Sequence, residues 1–472
     1  MHETPRSETP VSGPLKPGRL AFAALAAAVV AAPVAILVSG VPGARAVPSF
    51  ARQTGQPCAA CHTAFPELTP YGRRFKLGGY SFTNGSNPQI PVAAMVMPTF
   101  THSAAPFDPG AQPSGLRTND NLVVQQATGF LAGYLGWHVG AFIQATDNPI
   151  TGSVALDASE IRYADQGKLF DKDLIYGVSI NNTPTVQDVW NTTPAFSWPQ
   201  IASGVGTMFG SPLTQIEGGF GQNSAGVGAY AFWNDMLYAE LSAYRTMPSD
   251  ALKAFGEKPP PPFVIDGVAP YWRIALEPHW GDHYLMIGTF GMYAREDGNE
   301  PLGLPTGPTN DYLDLGFDTQ YQYDGRKFSV TAKVTDIVER QRLNAAFGAG
   351  NSTNLSDTLN SFKANATFVW DHTYALGAGY FNVAGSRDCL LYGANSATCS
   401  PNGDGLVFDA SYIPFSKGAP WPYSTWNARL GVQYTKYLHV YGGTSNFDGS
   451  GLGGQHDASG KDTVLVYAWM AF

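Results

Sequence analysis

The chain of 472 residues is 44% hydrophobic, 13% aromatic and only 14% charged, with a formal net charge of −9 and four cysteines. Disordered chains are poor in aromatics, four cysteines cannot build a disulfide scaffold, and an acidic chain offers phosphates no basic face; disorder, a disulfide framework and nucleic-acid binding are excluded. A charge fraction this far below the roughly 25% of soluble domains needs a cause elsewhere in the sequence.

Lys16 and Arg19 precede an Ala-rich apolar run from Leu20 to Val38, and Ala44-Arg45-Ala46 follows it. This is the pattern of a secretory signal peptide over residues 1–46, and Pro33 inside the run argues against a membrane helix. Beyond it, nothing approaches the ~18 consecutive apolar residues that a transmembrane helix requires. The expectation is an exported chain starting at Val47, without a helical anchor.

Residues 47–88 contain Pro57-Cys58-Ala59-Ala60-Cys61-His62. C-x-x-C-H is the attachment signature of c-type haem: two cysteines three apart reach two vinyl groups of one porphyrin, and the adjacent histidine supplies an axial nitrogen. A thioredoxin-like redox pair would need a βαβ surround, and a zinc site a second cysteine pair or paired histidines; neither is present. Cys58 and Cys61 are the expected covalent attachments of one haem c, and His62 its axial ligand. Met95, Met97 and His102 are the downstream candidates for the other axial position. Met97 or Met95 is preferred, because a thioether raises the potential relative to imidazole, although both also read as plain strand packing. His138, His279, His283, His372, His439 and His456 show no metal-ligand spacing and read as surface or girdle residues. A segment of this length can hardly build a core around a haem, so something else must shield the cofactor.

From residue 89 onward the pattern has period two. Leu313, Leu315, Phe317, Thr319, Tyr321 and Tyr323 alternate with Asp314, Gly316, Asp318, Gln320 and Gln322, and similar runs recur at 272–277, 328–335 and 362–370. Tight turns are expected at Gly136-Trp137, Asp171-Lys172, Asn234-Asp235, Gly281-Asp282, Asp324-Gly325 and Asp371-His372. Between them lie long segments rich in Gly, Pro, Asn and Ser, at 183–222, 246–267, 296–310, 341–356, 386–403 and 443–462. Short turns on one side and long loops on the other predict an all-β fold, a 16-stranded antiparallel transmembrane β-barrel over residues 89–472. The even count puts both barrel ends on the periplasmic side, and the last strand, Val464 to Phe472, resembles the assembly signal of outer-membrane proteins. Cys389 and Cys399 stand ten apart in a predicted loop and are expected to pair in an oxidising compartment. A barrel of sixteen strands has an aqueous lumen, so the haem segment is expected to plug it, shielded by the wall.

Phe50-Ala51-Arg52-Gln53-Thr54-Gly55, the haem motif, Phe65-Pro66-Glu67-Leu68-Thr69-Pro70-Tyr71-Gly72-Arg73 and Phe75-Lys76-Leu77 together resemble the haem segment of the fused monohaem cytochrome-porins of iron-oxidising bacteria. The resemblance implies an outer-membrane cytochrome, an iron:cytochrome c-type oxidoreductase. It would take electrons from extracellular Fe(II) through haem c and pass them to a periplasmic carrier such as a soluble cytochrome or copper protein. Two other readings stay open: a passive porin with a structural or sensory haem segment, and a periplasm-facing cytochrome anchored by its barrel. Glu296, Asp297, Glu300 and Asp311 are candidate hard oxygen ligands for Fe(II), with solvated loop charge as the plainer reading. Glu160, Arg162, Glu240, Arg273, Asp314, Asp318, Lys333 and Lys363 are expected to face inward, where they hold the plug or wet the lumen.

Overall fold

In a strand each successive side chain points to the opposite face, and the alternating residues pair into a closed wall. The computed structural model describes residues 48–472, apart from 84, 86–89, 109–114, 149, 151, 206–210, 258–260, 262, 298–306 and 419–425. The signal segment 1–46 and Glu300 therefore lie outside the described residues.

Sixteen antiparallel strands follow one another. They are β1 Val92–Ser103, β2 Asn121–Gly136, β3 Val139–Asn148, β4 Ser153–Leu156 continuing as Glu160–Leu169, β5 Lys172–Asn181, β6 Ser224–Trp233, β7 Leu237–Thr246, and β8, made of Val264–Ile265, Ala269–Leu276 and His279–Trp280. After them come β9 His283–Asp297, β10 Thr309–Asp324, β11 Phe328–Leu343, β12 Ser356–Trp370, β13 Tyr374–Gly385, β14 Gly403–Tyr412, β15 Asn427–His439 and β16 Thr463–Ala471. β16 pairs back onto β1, with Phe100 opposite Val466, so the sheet closes and no edge is left. β15 runs unbroken through Thr435-Lys436.

Two hairpin turns differ by one residue from the expected positions. The first is formed by Trp137-His138 and the second by Phe170-Asp171; all four have left-handed φ, between 53° and 63°. That backbone matches the right-handed twist of the flanking strands even without glycine at either position.

Outward residues such as Leu241, Ile274, Leu276, Leu315, Phe317 and Leu376 are exposed, while Asp314, Asp318, Arg273, Lys333 and Thr335 on the opposite faces are buried. At the short-turn end the outer surface carries a ring of aromatics, among them Trp137, Phe170, Trp280, Trp370, Tyr374 and Trp426. An apolar outer band with an aromatic girdle, a polar interior, short turns at one end and long connections at the other define a transmembrane barrel of the bacterial outer membrane. Among the described residues no helix is long and apolar enough to cross a membrane.

Two segments fill the lumen. The N-terminal one comprises α1 Pro48–Thr54, the single turn α2 Cys58–Cys61, and α3 Pro70–Leu77. Thr69 caps α3 by accepting a hydrogen bond from the Gly72 N–H at 3.1 Å, and Pro70 occupies the first helical position, where a missing N–H costs nothing. The other is the connection 182–223 between β5 and β6. Its composition reads as an outer loop, yet it folds inward and is largely buried. The physical reason lies in its partners: the wall supplies polar side chains that satisfy its backbone. Gln433 and Gln125 donate to the carbonyls of Ile201 (2.9 Å) and Ala202 (2.8 Å), while Glu339 and Asp314 accept from the N–H groups of Gln215 (2.5 Å) and Ile216 (2.8 Å).

Candidate functional site in the barrel lumen

The cysteines of the motif stand three apart on the single turn α2, and both are buried. They remain thiols; the disulfide of the chain joins Cys389 to Cys399 instead, within the connection between β13 and β14. Cys58 packs against Ala51, whereas Cys61 and His62 form part of the wall of a cavity of about 550 Å³. Burial pushes the Cys61 thiol up to about 12 and pushes His62 down to about 4, against the opposing pull of the Pro66 and Glu67 carbonyls. The imidazole is thus neutral, the form that binds metals, and its buried Nδ1 makes no hydrogen bond of normal geometry.

Around the cavity the lining is mainly apolar and aromatic: Phe65 and Leu68 beside His62, Phe130 and Phe142 from β2 and β3, Phe196 and Trp198 from the lumenal connection, and Trp469 from β16. Polar groups at its boundary include Gln126, Gln144, Gln200 and Lys363. The two methionine candidates separate here. Met95 lines the cavity, while Met97 packs against Ile201, Leu465 and Tyr467. His102 is exposed and pairs with Asp120 at 2.7 Å, away from the motif.

The N-terminal segment is pinned by buried ion pairs to strands around the barrel. Glu67 meets Lys333 on β11 at 3.2 Å, Arg73 meets Glu277, just after β8, at 3.1 Å, and Lys76 meets Glu160 on β4 at 3.4 Å. Arg73 also donates to Gln322 on β10 (2.6 Å), Tyr80 donates to Glu160, Tyr230 on β6 donates to the Leu77 carbonyl (2.6 Å), and Arg429 on β15 donates to the Phe65 carbonyl (2.8 Å). The connection 182–223 is fastened to the same framework. Lys76 donates to the carbonyls of Val186 (2.5 Å) and Asp188 (2.9 Å), and Asn191 donates to the Pro66 carbonyl (3.2 Å). Although burial alone would raise it, Arg273 and the N–H groups of Trp190 and Thr193 hold the Asp188 carboxyl at about 2, so it stays ionised. Trp198 rests on β13 where Gly377 and Gly379 leave room; a Cβ on Gly379 would come within 2.3 Å of its ring.

Of the residues expected to face inward, Glu160, Arg162, Glu240, Arg273, Asp314, Asp318 and Lys333 are buried. Lys363 pairs with Glu217 of the lumenal connection at 2.6 Å. The anchoring role of Glu67, Arg73 and Lys76, and the part played by Asn191, Phe196 and Trp198, escaped the sequence. The signal for the second group was there: Trp190, Phe196 and Trp198 within nine residues are too apolar for a solvated loop. The acidic residues expected to attract a cation are not gathered. Glu296 is buried, Asp311 lies 3.9 Å from Arg295, and no three His, Cys, Asp or Glu side chains among the described residues form a metal-holding group.

A closed porin-like outer-membrane barrel whose lumen is occupied by its own N-terminal segment and one folded-in connection is the class that these features define. No family model and no curated protein matches the chain. Among solved structures it is similar to the outer membrane channel DcaP of Acinetobacter baumannii, at 12% identity and a TM-score of 0.44 over 83% of this chain and 99% of that one. It is similar also to in-vitro folded OmpT of Vibrio cholerae, at 10% identity and 0.41 over 81% and 96%. The anion-selective porin from Comamonas acidovorans gives 10% and 0.42 over 80% and 98%. These likenesses concern architecture alone, and the barrel assignment stands on the closed ladder of strands described above.

Proposed function

We propose that the chain is an outer-membrane electron conduit, a cytochrome that accepts electrons from extracellular Fe(II) and passes them to a periplasmic carrier. The observation that carries the reading is the Cys58-x-x-Cys61-His62 motif held inside the lumen, with Cys61 and the neutral His62 at the edge of an aromatic cavity. The residues fit haem c: two thiols on one turn, an imidazole nitrogen without a hydrogen bond, and an apolar, enclosing lining. Covalently bound haem supplies a one-electron centre. Cys58 and Cys61 tether it and His62 ligates its iron. Met95 is assigned as the second axial donor because it lines the same cavity, and Met97 is set aside because its partners are elsewhere. Phe130, Phe142, Phe196 and Trp198 exclude water, which favours a stable potential. Acidic residues outnumber basic ones in the described long connections, a field that attracts a divalent cation from outside.

The testing experiment is titration of the purified protein with Fe(II), followed through haem absorbance. Reduction is expected, and is expected to vanish in His62→Ala while the barrel still assembles. Full Fe(II)-dependent reduction in His62→Ala would sink the proposal. A second reading, a solute channel with a structural plug, is favoured by the porin-like architecture. It predicts steady ionic conductance in planar bilayers, whereas the pinned plug and lumenal connection predict little or none from the conduit.

A further inference from the structure

We infer that Cys58 and Cys61 acquire haem before the barrel closes, so that thioether formation on an extended N-terminal segment precedes assembly in the outer membrane. The inference rests on the haem reading above and adds an order of events.

Two observations set that order. In the closed barrel the acceptor thiols are out of reach: Cys58 is 1% exposed and Cys61 8% exposed. Between β14 and β15, Ser416 covers the turn that carries them, its carbonyl accepting from the Ala59 N–H at 2.9 Å. Each thiol must add across one vinyl group. A carbon–sulfur bond forms as the vinyl π bond is consumed, the thiol proton goes to the other vinyl carbon, and no oxidant or leaving group is involved. An enzyme that holds a porphyrin against both sulfurs needs the whole turn free, and the seated turn has wall on every side.

The seat itself exists only after closure. Its anchors come from strands far apart in sequence and spread around the circumference: Glu160 on β4, Tyr230 on β6, Gln322 on β10, Lys333 on β11 and Arg429 on β15. Phe65 stacks edge-on against Trp469 of β16 with centroids 5.1 Å apart, so the last strand completes the seat as well as the cylinder. β16 pairs with both β15 and β1. Until it does so, the N-terminal segment has no complete enclosure, and its thiols are open to an attachment enzyme of the class that recognises C-x-x-C-H in an unfolded peptide.

The test separates the two events in time, using the full chain in cells whose c-type haem attachment system is under independent induction. In one arm attachment is active throughout. In the other it is switched on only after new synthesis of the chain has been stopped and the barrel has assembled, as judged by heat-modifiable gel mobility. Covalent haem is read by in-gel staining and intact mass, and thiol access by a bulky maleimide without reductant, which leaves the Cys389–Cys399 disulfide silent. The expected result is haem-positive barrels in the first arm, and in the second a near-complete loss of covalent haem with thiols that react only after heating. Failure of the chain to assemble at all without attachment also places attachment first. Assembled, heat-modifiable barrels that gain covalent haem in the second arm would overturn the order. Absence of haem from both arms would overturn the haem reading itself, a different outcome from a wrong order.

Discussion

Replacing Lys333 by methionine probes what keeps the N-terminal segment in the lumen. The ammonium lies 3.2 Å from Glu67 Oε1, both side chains are 3% exposed, and Lys333 also donates to the Asn191 carbonyl at 3.5 Å. Wall, plug and lumenal connection thus meet at one charge pair. Lys333→Met leaves the Glu67 carboxylate buried with the Gln200 amide at 3.2 Å as its remaining hydrogen-bond donor, while Oε2 has none. Removing one partner of a buried ion pair costs about 3–5 kcal/mol. At 1.4 kcal/mol for each factor of ten, seating should weaken by roughly two to three orders of magnitude. The double variant Lys333→Met with Glu67→Gln removes the stranded charge and should recover to within about 1–2 kcal/mol of the parent. Hydrogen exchange of the amides at 63–80 in detergent-solubilised protein reads the local opening free energy without unfolding the wall. If the single variant exchanges no faster than the double one, the pair does not hold the plug and the reasoning fails.

Gly72→Ala should loosen α3 from α2, because the new Cβ would stand 2.2 Å from the Cys61 carbonyl oxygen and 3.0 Å from its carbon, both backbone. The expected loss is about 1–3 kcal/mol of segment stability, checked by the same exchange measurement with barrel mobility unchanged. Asp388 accepts hydrogen bonds from Ser352 and from the N–H groups of Thr353, Asn354, Leu390 and Leu391. Although burial alone would raise its carboxyl, these donors hold it well below the usual carboxylate range. A depressed folded value means that the tie is complete above a pH of about 4 and weakens as pH falls toward the folded value. Proteolysis of the connections 344–355 and 386–402 should rise in acid, and Asp388→Asn should remove that pH dependence. Reducing the Cys389–Cys399 bridge, which closes a ten-residue separation, should release ~2–3 kcal/mol of loop restraint. Limited proteolysis with and without reductant checks this, and unchanged nicking would count against it.

The sequence alone determined the wall, because a lipid-facing strand must show its chemistry locally: every second residue is apolar, and each turn carries residues that tolerate a tight reversal. The charge fraction of 14% follows from the same requirement, one face of each strand being closed to charge. The motif at Cys58, Cys61 and His62 was legible too, since its chemistry is bound to spacing along the chain. What only the tertiary structure decided is what fills the cylinder. Glu67 and Lys333 are 266 residues apart, and Phe65 and Arg429 are 364 apart, distances at which no periodicity links one residue to another. The inward course of 182–223 was hidden for the same reason: a loop turns into a lumen only because wall residues on distant strands satisfy its backbone there. The choice between Met95 and Met97 likewise needed the barrel. Two residues apart on β1, they share one face in sequence terms, and the curvature of the closed wall alone gives one to the cavity and the other to Ile201, Leu465 and Tyr467.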